Sequence, residues 1–438
     1  MKWWLRRQLL PLLHPRLLEP WRTGRQRRRI AAGLRPPSGP QARPRLYVDV
    51  SVICRQDAGT GIQRLVRAVS RHLLSAPASR WEVIPVAATR KRPYHRIAWP
   101  EDGGADDAAT PMAGRAGDVF LGLDFALETI VAHREQLVAF KQGGGTLWFL
   151  MYDLLPLQQP GWFSDALVVR YRRWLRTLAV LADGFFCISE PVESELRAEL
   201  SSVHGLGDEV RTRVLPMGSD FSVRRPRAAP ACDDTLAALR AMAQRRSALM
   251  VGTLEPRKGH ADVLGAFDLL WSRGLACNLV IAGQAGWKTE PLQRRIQDHP
   301  EHGIRLFWLA DAGDDTLEAL YAACTGVIAA SYGEGFGLPV IEALRHAKPV
   351  LARDLPVFRM HEAAGVRYFP EAPTHGQLAD VIGNWIAHPP TPDQVPVLAS
   401  WTDTARALLE ELARCDAPRA LRSPEAVAGC ANPVPHRR

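Results

Sequence analysis

The stretch SYGEGFGLPVIEA (331–343) places three glycines around Glu334, where a predicted buried strand, TGVIAAS (325–331), gives way to a helix. Pro339 falls in the first turn of that helix, where proline is tolerated, and Glu342 lies one to two turns in. A glycine loop exposes N–H donors to phosphate and sugar oxygens, and a carboxylate accepts hydrogen bonds from sugar or ribose hydroxyls. A tight turn followed by a solvated helix glutamate is the alternative, which fits three glycines less well.

A second motif, GTLEPRKGH (252–260), overlaps the end of another predicted strand, SALMVGTL (247–254). Arg257 and Lys258 are adjacent cations just before a predicted helix, where the helix dipole disfavours positive charge slightly. A diphosphate would resolve that conflict, with the arginine as a two-pronged donor and the lysine as a point charge. A solvated basic turn explains these two residues equally well.

A third motif, GTGIQR (59–64), follows the predicted strand RLYVDVSVI (45–53) and opens a helical pattern over 62–74. Gly59 and Gly61 allow a tight turn with the backbone close to a ligand, and the helix start offers free N–H groups to an anion. Glycines required only for turn geometry would look the same.

The rest of the chain alternates buried strands with helices, which is typical of parallel α/β sheets. Further strands are predicted over 81–87, 117–123, 145–153, 184–189, 276–283, 303–310 and 348–354, and helices over 260–274 and 314–324. We therefore predict two Rossmann-like, doubly wound parallel-sheet domains that face each other across a cleft, because ligands bind at the carboxyl ends of such strands. Asp153 ends one strand, where it either faces the cleft or caps the following turn.

Charge is concentrated at the beginning of the chain. The whole chain has 55 Lys+Arg and 46 Asp+Glu, and residues 1–45 hold 12 of these cations and a single acid, Glu19. The remainder is close to neutral, so the composition does not favour a nucleic-acid-binding body.

The first residues combine tryptophans and leucines with a basic cluster at Arg22–Arg29, and charges and prolines interrupt the apolar run. This pattern does not fit a secretory signal, and no run of about 18 uncharged apolar residues predicts a membrane-spanning helix. We predict that residues 1–33 contact an anionic membrane surface, with a solvated tail or a helix packed on the protein body as the alternatives. Seven cysteines without metal-ligand spacing predict free thiols in a reducing compartment and no metal site.

Together the three motifs resemble retaining glycosyltransferase family 4, whose members have the two-domain GT-B fold. The segment 331–343 resembles its E-x7-E signature, 252–260 its Arg/Lys diphosphate motif, and 59–64 its N-terminal glycine loop. The resemblance covers most of residues 46–412.

Three segments in the first half look most like bacterial mannosyltransferases that build O-antigen or capsular chains. They are DVSVICRQDAGTGIQRLVRAV (49–69), MYDLLPLQQPGWF (151–163) and ISEPVESEL (188–196). Two positions depart from the family: Thr60 stands where many relatives have a glycine, and the neighbours of Asp153 include no histidine.

The resemblance implies a role for each candidate residue. Glu334 would contact the donor hexose, and the backbone of Gly335, Phe336 and Gly337 would bind the sugar and the β-phosphate. Glu342 would accept from the ribose hydroxyls, Arg257 and Lys258 would neutralise the diphosphate leaving group, and Gly61 would approach that diphosphate from the other domain. Asp153 would contact the sugar or the acceptor hydroxyl.

The resemblance also implies the reaction and its place in the cell. The expected enzyme transfers a hexose to a lipid-linked saccharide, and mannose from GDP-mannose is the leading candidate. It needs no metal or cofactor. It acts at the cytoplasmic face of the bacterial plasma membrane. A rhamnosyl-, glucosyl- or N-acetylglucosaminyltransferase that uses a TDP- or UDP-sugar is the alternative within the fold. A catalytically silent GT-B domain is the alternative outside catalysis.

The expected organisation has six segments. They are a basic tail and Pro-rich linker (1–45), an N-terminal acceptor-side domain (46–223), a linker (224–246), a C-terminal nucleotide-sugar-binding domain (247–395), a C-terminal helix (396–415) and a flexible tail (416–438).

Overall fold

The computed structural model describes residues 15–35, 43–57, 59–76, 80–99, 111–220, 233–390 and 398–415. These residues form two α/β domains, each built on one sheet with helices on both faces.

The N-terminal sheet has seven strands in the order β3-β2-β1-β4-β5-β6-β7. Neighbouring strands are parallel except β2 and β3. The strands are β1 (Arg45–Asp49), β2 (Glu82–Ala87), β3 (His95–Arg96), β4 (Val119–Gly122), β5 (Thr146–Met151), β6 (Gly184–Cys187) and β7 (Arg211–Val214). The central strands β4 and β6 are buried along their whole length because helices cover both faces of the sheet.

Helices of the N-terminal domain begin at residues that satisfy free backbone N–H groups. Thr60 and Gln63 form a capping box at the start of the helix after β1, and Ser164 and Ser189 cap two later helices. The helices are α1 (Pro15–Ala32), α2 (Gly61–Leu74), α3 (Thr129–Ala132), α4 (Arg134–Gln142), α5 (Leu155–Gln158), α6 (Asp165–Leu181) and α7 (Glu190–Ser202).

The C-terminal sheet has six parallel strands in the order β10-β9-β8-β11-β12-β13. The strands are β8 (Ser247–Val251), β9 (Asn278–Ala282), β10 (Leu306–Leu309), β11 (Gly326–Ala329), β12 (Val350–Arg353) and β13 (Arg367–Phe369). The helices of this half are α8 (Asp233–Gln244), α9 (His260–Ser272), α10 (Glu290–Gln297), α11 (Asp314–Ala323), α12 (Leu338–Arg345), α13 (Pro356–Arg359), α14 (His375–Ala387) and α15 (Trp401–Cys415).

In both sheets the strand order reverses beside the first strand of the domain. The strand β1 lies between β2 and β4, and β8 lies between β9 and β11. Crevices form outside the carboxyl ends of the strands at such switch points. The loops after β1, β8 and β11, which carry the three sequence motifs, therefore converge on one cleft.

The expected linker over 224–246 is wrong for its second half. Residues 233–244 form the helix α8, and Ala238, Ala241 and Met242 are buried in the core of the C-terminal domain. Small apolar residues recur here at helical spacing, a pattern that the proline-rich residues before it obscured.

The segment 1–45 was expected to be a tail and a linker. Its residues 15–32 instead form the helix α1, which packs on the N-terminal domain. Arg27 donates to the carbonyl oxygens of Ala179 and Ala182, both at 3.0 Å, near the end of α6. Pro20 lies so close to Gly205 that a Cβ at position 205 would be 2.6 Å from it. Residues 1–14 lie outside the described residues, as does the flexible tail expected over 416–438.

The C-terminal helix α15 returns to the N-terminal domain. Trp401, Leu408 and Leu412 are buried in the same core as the first sheet, and Trp401 packs on Gly218. The last helix thus ties the two halves of the chain together. Among the described helices, none combines the length and the hydropathy needed to cross a membrane.

Candidate active site

The cleft between the two domains encloses a cavity of about 570 Å³. Its walls come from both halves: the 59–64 motif and Asp153 on one side, and the 252–258 and 334–338 loops on the other. The structure therefore brings together all nine residues that the sequence singled out.

Glu334 lies at the centre of the charged part of this cleft. Its carboxylate accepts from Lys258 Nζ at 2.5 Å and from Ser331 Oγ at 2.7 Å, and it pairs with Arg257 Nη1 at 3.1 Å. Burial by itself would raise the pKa of Glu334, but the two cations outweigh it and lower the pKa to about 2. Glu334 is therefore a carboxylate at any physiological pH.

Arg257 is fixed between two carboxylates. Its Nε donates to Glu255 at 2.8 Å, and Nη1 donates to the carbonyl of Gly333 at 2.9 Å as well as pairing with Glu334. Burial would lower the pKa of Arg257, but the surrounding carboxylates raise it, so the guanidinium stays charged. Arg257 and Lys258 are thus neutralised by protein carboxylates.

The glycines of the loop before α12 are required by close contacts. A Cβ at Gly335 would lie 2.0 Å from the carbonyl oxygen of Tyr152 in the other domain, and Ser189 Oγ donates to the carbonyl of Gly335 at 2.6 Å. Gly337 has φ of 85° at the N-terminus of α12, and a Cβ there would meet the ring of Phe358 at 2.6 Å. The loop is therefore held against both domains. Phe336, between them, packs on the N-terminal core.

Glu342 is buried, with only 5% of the residue exposed. Arg64 Nη1 donates to one carboxylate oxygen at 2.6 Å, and the hydroxyl of Tyr321 donates to the other at 2.6 Å. Arg64 also pairs with Asp314, with Nε at 3.2 Å from the carboxylate. The arginine belongs to α2 of the N-terminal domain, whereas its partners belong to the C-terminal domain.

Arg64 is the functional candidate that sequence reasoning missed. It ends the GTGIQR motif, which was valued only for its glycines. Gly61 lies one turn before Arg64 on α2, and a Cβ on Gly61 would be 3.2 Å from Leu338 of the facing domain. Because residues three apart on a helix share a face, this spacing was the available signal.

Asp153 lines the cleft and also caps the turn that follows β5. Its side chain lines the cleft cavity, and its Oδ1 accepts from the backbone N–H of Leu155 at 3.1 Å. Burial raises the pKa of Asp153, and Arg257 partly offsets the rise. Asp153 is therefore easier to protonate than a solvated aspartate.

A second contact closes the rim of the cleft. Trp287 Nε1 donates to the carbonyl of Trp162 at 2.7 Å, and Lys288 Nζ donates to the carbonyl of Phe163 at 2.8 Å. The rings of Trp287 and Phe163 stack with their centroids 5.8 Å apart. The structure thus represents a closed arrangement of the two domains.

A buried acid supports the loop that leads to the 59–64 motif. Asp49 ends β1 and accepts from the N–H of Ser51 at 2.9 Å, from its Oγ at 2.5 Å, and from the hydroxyl of Tyr94 at 2.8 Å. Burial, reinforced by the nearby carboxylate of Asp124, raises the pKa of Asp49 to about 7.

In the part of the chain that the structure describes, no three His, Cys, Asp or Glu side chains are grouped as metal ligands.

The fold and the cleft define the class of the protein. Two doubly wound domains with strand ends facing one cleft form the GT-B fold of glycosyltransferases. The crystal structure of WaaG, a glycosyltransferase involved in lipopolysaccharide biosynthesis, is similar with a TM-score of 0.52 and 14% identity, covering 85% of this chain and 98% of WaaG. The predicted GT-B fold is confirmed.

The family follows from the sequence comparisons. Residues 236–396 match the family of glycosyl transferases group 1, so this part of the chain is a domain of that family. The serotype-specific mannosyltransferase WbdA of Escherichia coli is 34% identical over 384 residues, which cover 84% of this chain and 45% of WbdA. The O-antigen chain mannosyltransferase B of Escherichia coli is 32% identical over 152 residues, covering 34% of this chain and 38% of that protein. The chain thus spans about half the length of WbdA.

We expect Arg64→Met to destabilise the closed protein by about 3 kcal/mol or more, because it leaves buried Glu342 without its cation. Glu342→Gln should then cost less in the Arg64→Met background than in the wild type, with a coupling of about 0.5–3 kcal/mol. Urea unfolding of the wild type, both single variants and the double variant measures this coupling.

Arg67→Met is the matched control for Arg64→Met, since Arg67 pairs with Asp57 inside the N-terminal domain. Its effect should add to that of Glu342→Gln. Strict additivity of Arg64→Met and Glu342→Gln would contradict the interdomain ion pair.

We expect Asp49 to contribute a fall in the free energy of unfolding as pH rises from about 4 to about 7. The native state holds the proton of Asp49 up to about pH 7, whereas an unfolded aspartate releases it near pH 4, so folding is favoured on the acid side of that window. Asp49→Asn, which mimics the protonated side chain, should lack this contribution, so the variant should gain stability relative to the wild type as pH rises across this range in urea unfolding.

Asp208→Asn, at a fully exposed aspartate, should leave the pH dependence of stability unchanged. An Asp49→Asn variant with the wild-type pH dependence would show that Asp49 is ionised throughout.

Proposed function

We propose that this chain is a retaining glycosyltransferase that moves a hexose from a nucleotide-sugar donor to a saccharide acceptor. The observation that carries the proposal is the contact of Glu334 with both Lys258 and Arg257 inside the interdomain cleft. A carboxylate suits sugar hydroxyls, and two cations suit a diphosphate. A nucleotide sugar carries both groups side by side.

In this proposal the donor diphosphate takes over the two cations. Arg257 and Lys258 exchange part of their contact with Glu334 for phosphate oxygens, and the backbone N–H groups at 335–337, at the start of α12, donate to the same oxygens. As the bond to the sugar breaks, negative charge grows on the leaving diphosphate, where these groups already lie. Such preorganised charge stabilises the transition state.

The sugar and the nucleoside are assigned to the two glutamates. Glu334, released from Lys258, accepts hydrogen bonds from hydroxyls of the hexose. Glu342 accepts hydrogen bonds from the ribose hydroxyls in addition to those from Arg64 and Tyr321, since a carboxylate can accept from further donors. The leaving phosphate takes the proton of the acceptor hydroxyl on the face that the nucleotide leaves, and Asp153 orients that hydroxyl or the sugar.

We propose mannose from GDP-mannose as the donor and a lipid-linked saccharide of O-antigen or capsule synthesis as the acceptor. The similarity to WbdA and to the O-antigen chain mannosyltransferase B supports the sugar and the process. Membrane contact through residues 1–33 and a place at the cytoplasmic face of the plasma membrane remain part of the proposal. Since 15–32 is a packed helix, such contact would involve residues 1–14 and the exposed face of α1.

We expect GDP and GDP-mannose to raise the unfolding midpoint by a few degrees, because a ligand at about 100 times its dissociation constant adds about 2.7 kcal/mol to the native state. UDP, TDP and their sugars should have no effect in the same thermal measurement. Lys258→Met should lose the shift, and Lys91→Met, at an exposed lysine, should keep it.

A shift with UDP or TDP alone would replace mannose by another sugar within the same fold. No shift with any nucleotide sugar would contradict the proposed donor site and favour a silent GT-B domain.

We expect Glu334→Gln to lower the rate of hexose transfer by orders of magnitude while leaving the nucleotide-induced shift in place. The amide keeps the shape of the side chain but removes the charge that accepts hydroxyls and balances the cations. Transfer from radiolabelled GDP-mannose to a membrane fraction measures the rate. Glu371→Gln, at an exposed glutamate, is the control, and equal rates in the two variants would overturn the role of Glu334.

A further inference from the structure

A second cavity, of about 260 Å³, lies on the N-terminal domain between α1, α4 and α6, away from the cleft. Four arginines line it, Arg22, Arg134, Arg173 and Arg176, together with one carboxylate, Glu19. Its polar lining is therefore strongly cationic.

The single carboxylate does not balance these charges. Glu19 pairs with Arg176 at 3.6 Å and lies 4.0 Å from Nδ1 of His204. Burial, and then the charge of Arg176, lower the pKa of His204 to about 4, so this histidine is neutral at pH 7. The pocket keeps three positive charges in excess at neutral pH.

The walls of the pocket are held in place by packing and hydrogen bonds. Arg134 Nη2 donates to Gln26 Oε1 at 2.8 Å, which links α4 to α1. Arg27 joins α1 to the end of α6, and Pro20 is seated on Gly205. The three helices that carry the arginines are thus held together by these contacts.

Two of the arginines have no carboxylate partner among the described residues. Arg22 on α1 and Arg173 on α6 form no ion pair within 4.0 Å there, and Arg173 has Arg176 one turn away on the same helix. Like charges at this spacing disfavour each other, and a bound anion would relieve the repulsion.

We propose that this pocket binds a phosphate group. Arginine presents its N–H donors in a planar fork that matches phosphate oxygens, and four arginines line this cavity. Two large apolar side chains on the same helices are exposed beside the arginines: Trp21 at 43% and Val169 at 64%. Apolar groups flanking a cationic site suit the headgroup layer of an anionic bilayer, so a phospholipid phosphate is the expected source, with free phosphate as the other.

The pocket is also close to the cleft along one rigid helix. Leu167 near the start of α6 lines the cleft, and Arg173 follows six residues later, which is about 9 Å along the helix axis. A membrane phosphate held at Arg173 would place the cleft near the bilayer surface. The pocket does not depend on the proposed transfer reaction, and its occupation is measurable without it.

The test compares the full-length wild type with the double variant Arg22→Gln/Arg173→Gln and a control, Arg240→Gln/Arg367→Gln, which removes two exposed arginines from the C-terminal domain. All three proteins keep residues 1–14 and should have the same unfolding midpoint without ligand. Each is sedimented with vesicles of phosphatidylcholine alone and of phosphatidylcholine with phosphatidylglycerol. Thermal unfolding is also measured in sulfate-free buffer with and without inorganic phosphate.

We expect Arg22→Gln/Arg173→Gln to bind the phosphatidylglycerol vesicles about tenfold more weakly than the wild type and the control, since each surface cation favours an anionic membrane. If inorganic phosphate stabilises the wild type and the control but not this variant, while vesicle binding is equal, the pocket binds free phosphate. If neither measurement separates Arg22→Gln/Arg173→Gln from the control, the pocket is not a phosphate site.

Discussion

The close approach of Gly335 to the N-terminal domain is the constraint on which the candidate site depends. The carbonyl oxygen of Tyr152 lies 2.0 Å from the place of a Cβ at residue 335, so any side chain there would push the domains apart. Ser189 fixes the loop at this distance by donating to Gly335. Because the domains are so close, Arg64 reaches Glu342 and the cleft is closed around its charged groups.

The charges in the cleft are balanced by side chains of the protein itself. Arg257 and Lys258 pair with Glu334 and Glu255 in a region largely shielded from water, where an unpaired charge would be costly. A ligand that offers its own negative charge can exchange with these carboxylates, so the cations do not have to be exposed first. The same pairing keeps Glu334 ionised, which is the state that accepts hydroxyl donors.

Much of the fold was predictable because its signals are local. The predicted strands overlap the observed ones at 45–49, 146–151 and 247–251, since buried parallel strands are mostly apolar. The helix at 233–244 was missed, and the packed helix at 15–32 was foreseen only as an alternative to membrane contact. In both, charged or proline-rich surroundings dominated the composition, while a few buried residues, such as Ala238 and Ile30, hold the helix to its domain.

By itself the sequence determined the two-domain α/β architecture and the positions of Glu334, Arg257 and Lys258 at strand ends, because strand periodicity and glycine turns are properties of short segments. Only the tertiary structure decided which charges meet. Arg64 and Glu342 are 278 residues apart in the chain, and the four arginines of the second pocket come from three helices. No short segment predicts such pairings, because they arise only when packed helices and two facing sheets bring distant side chains close together.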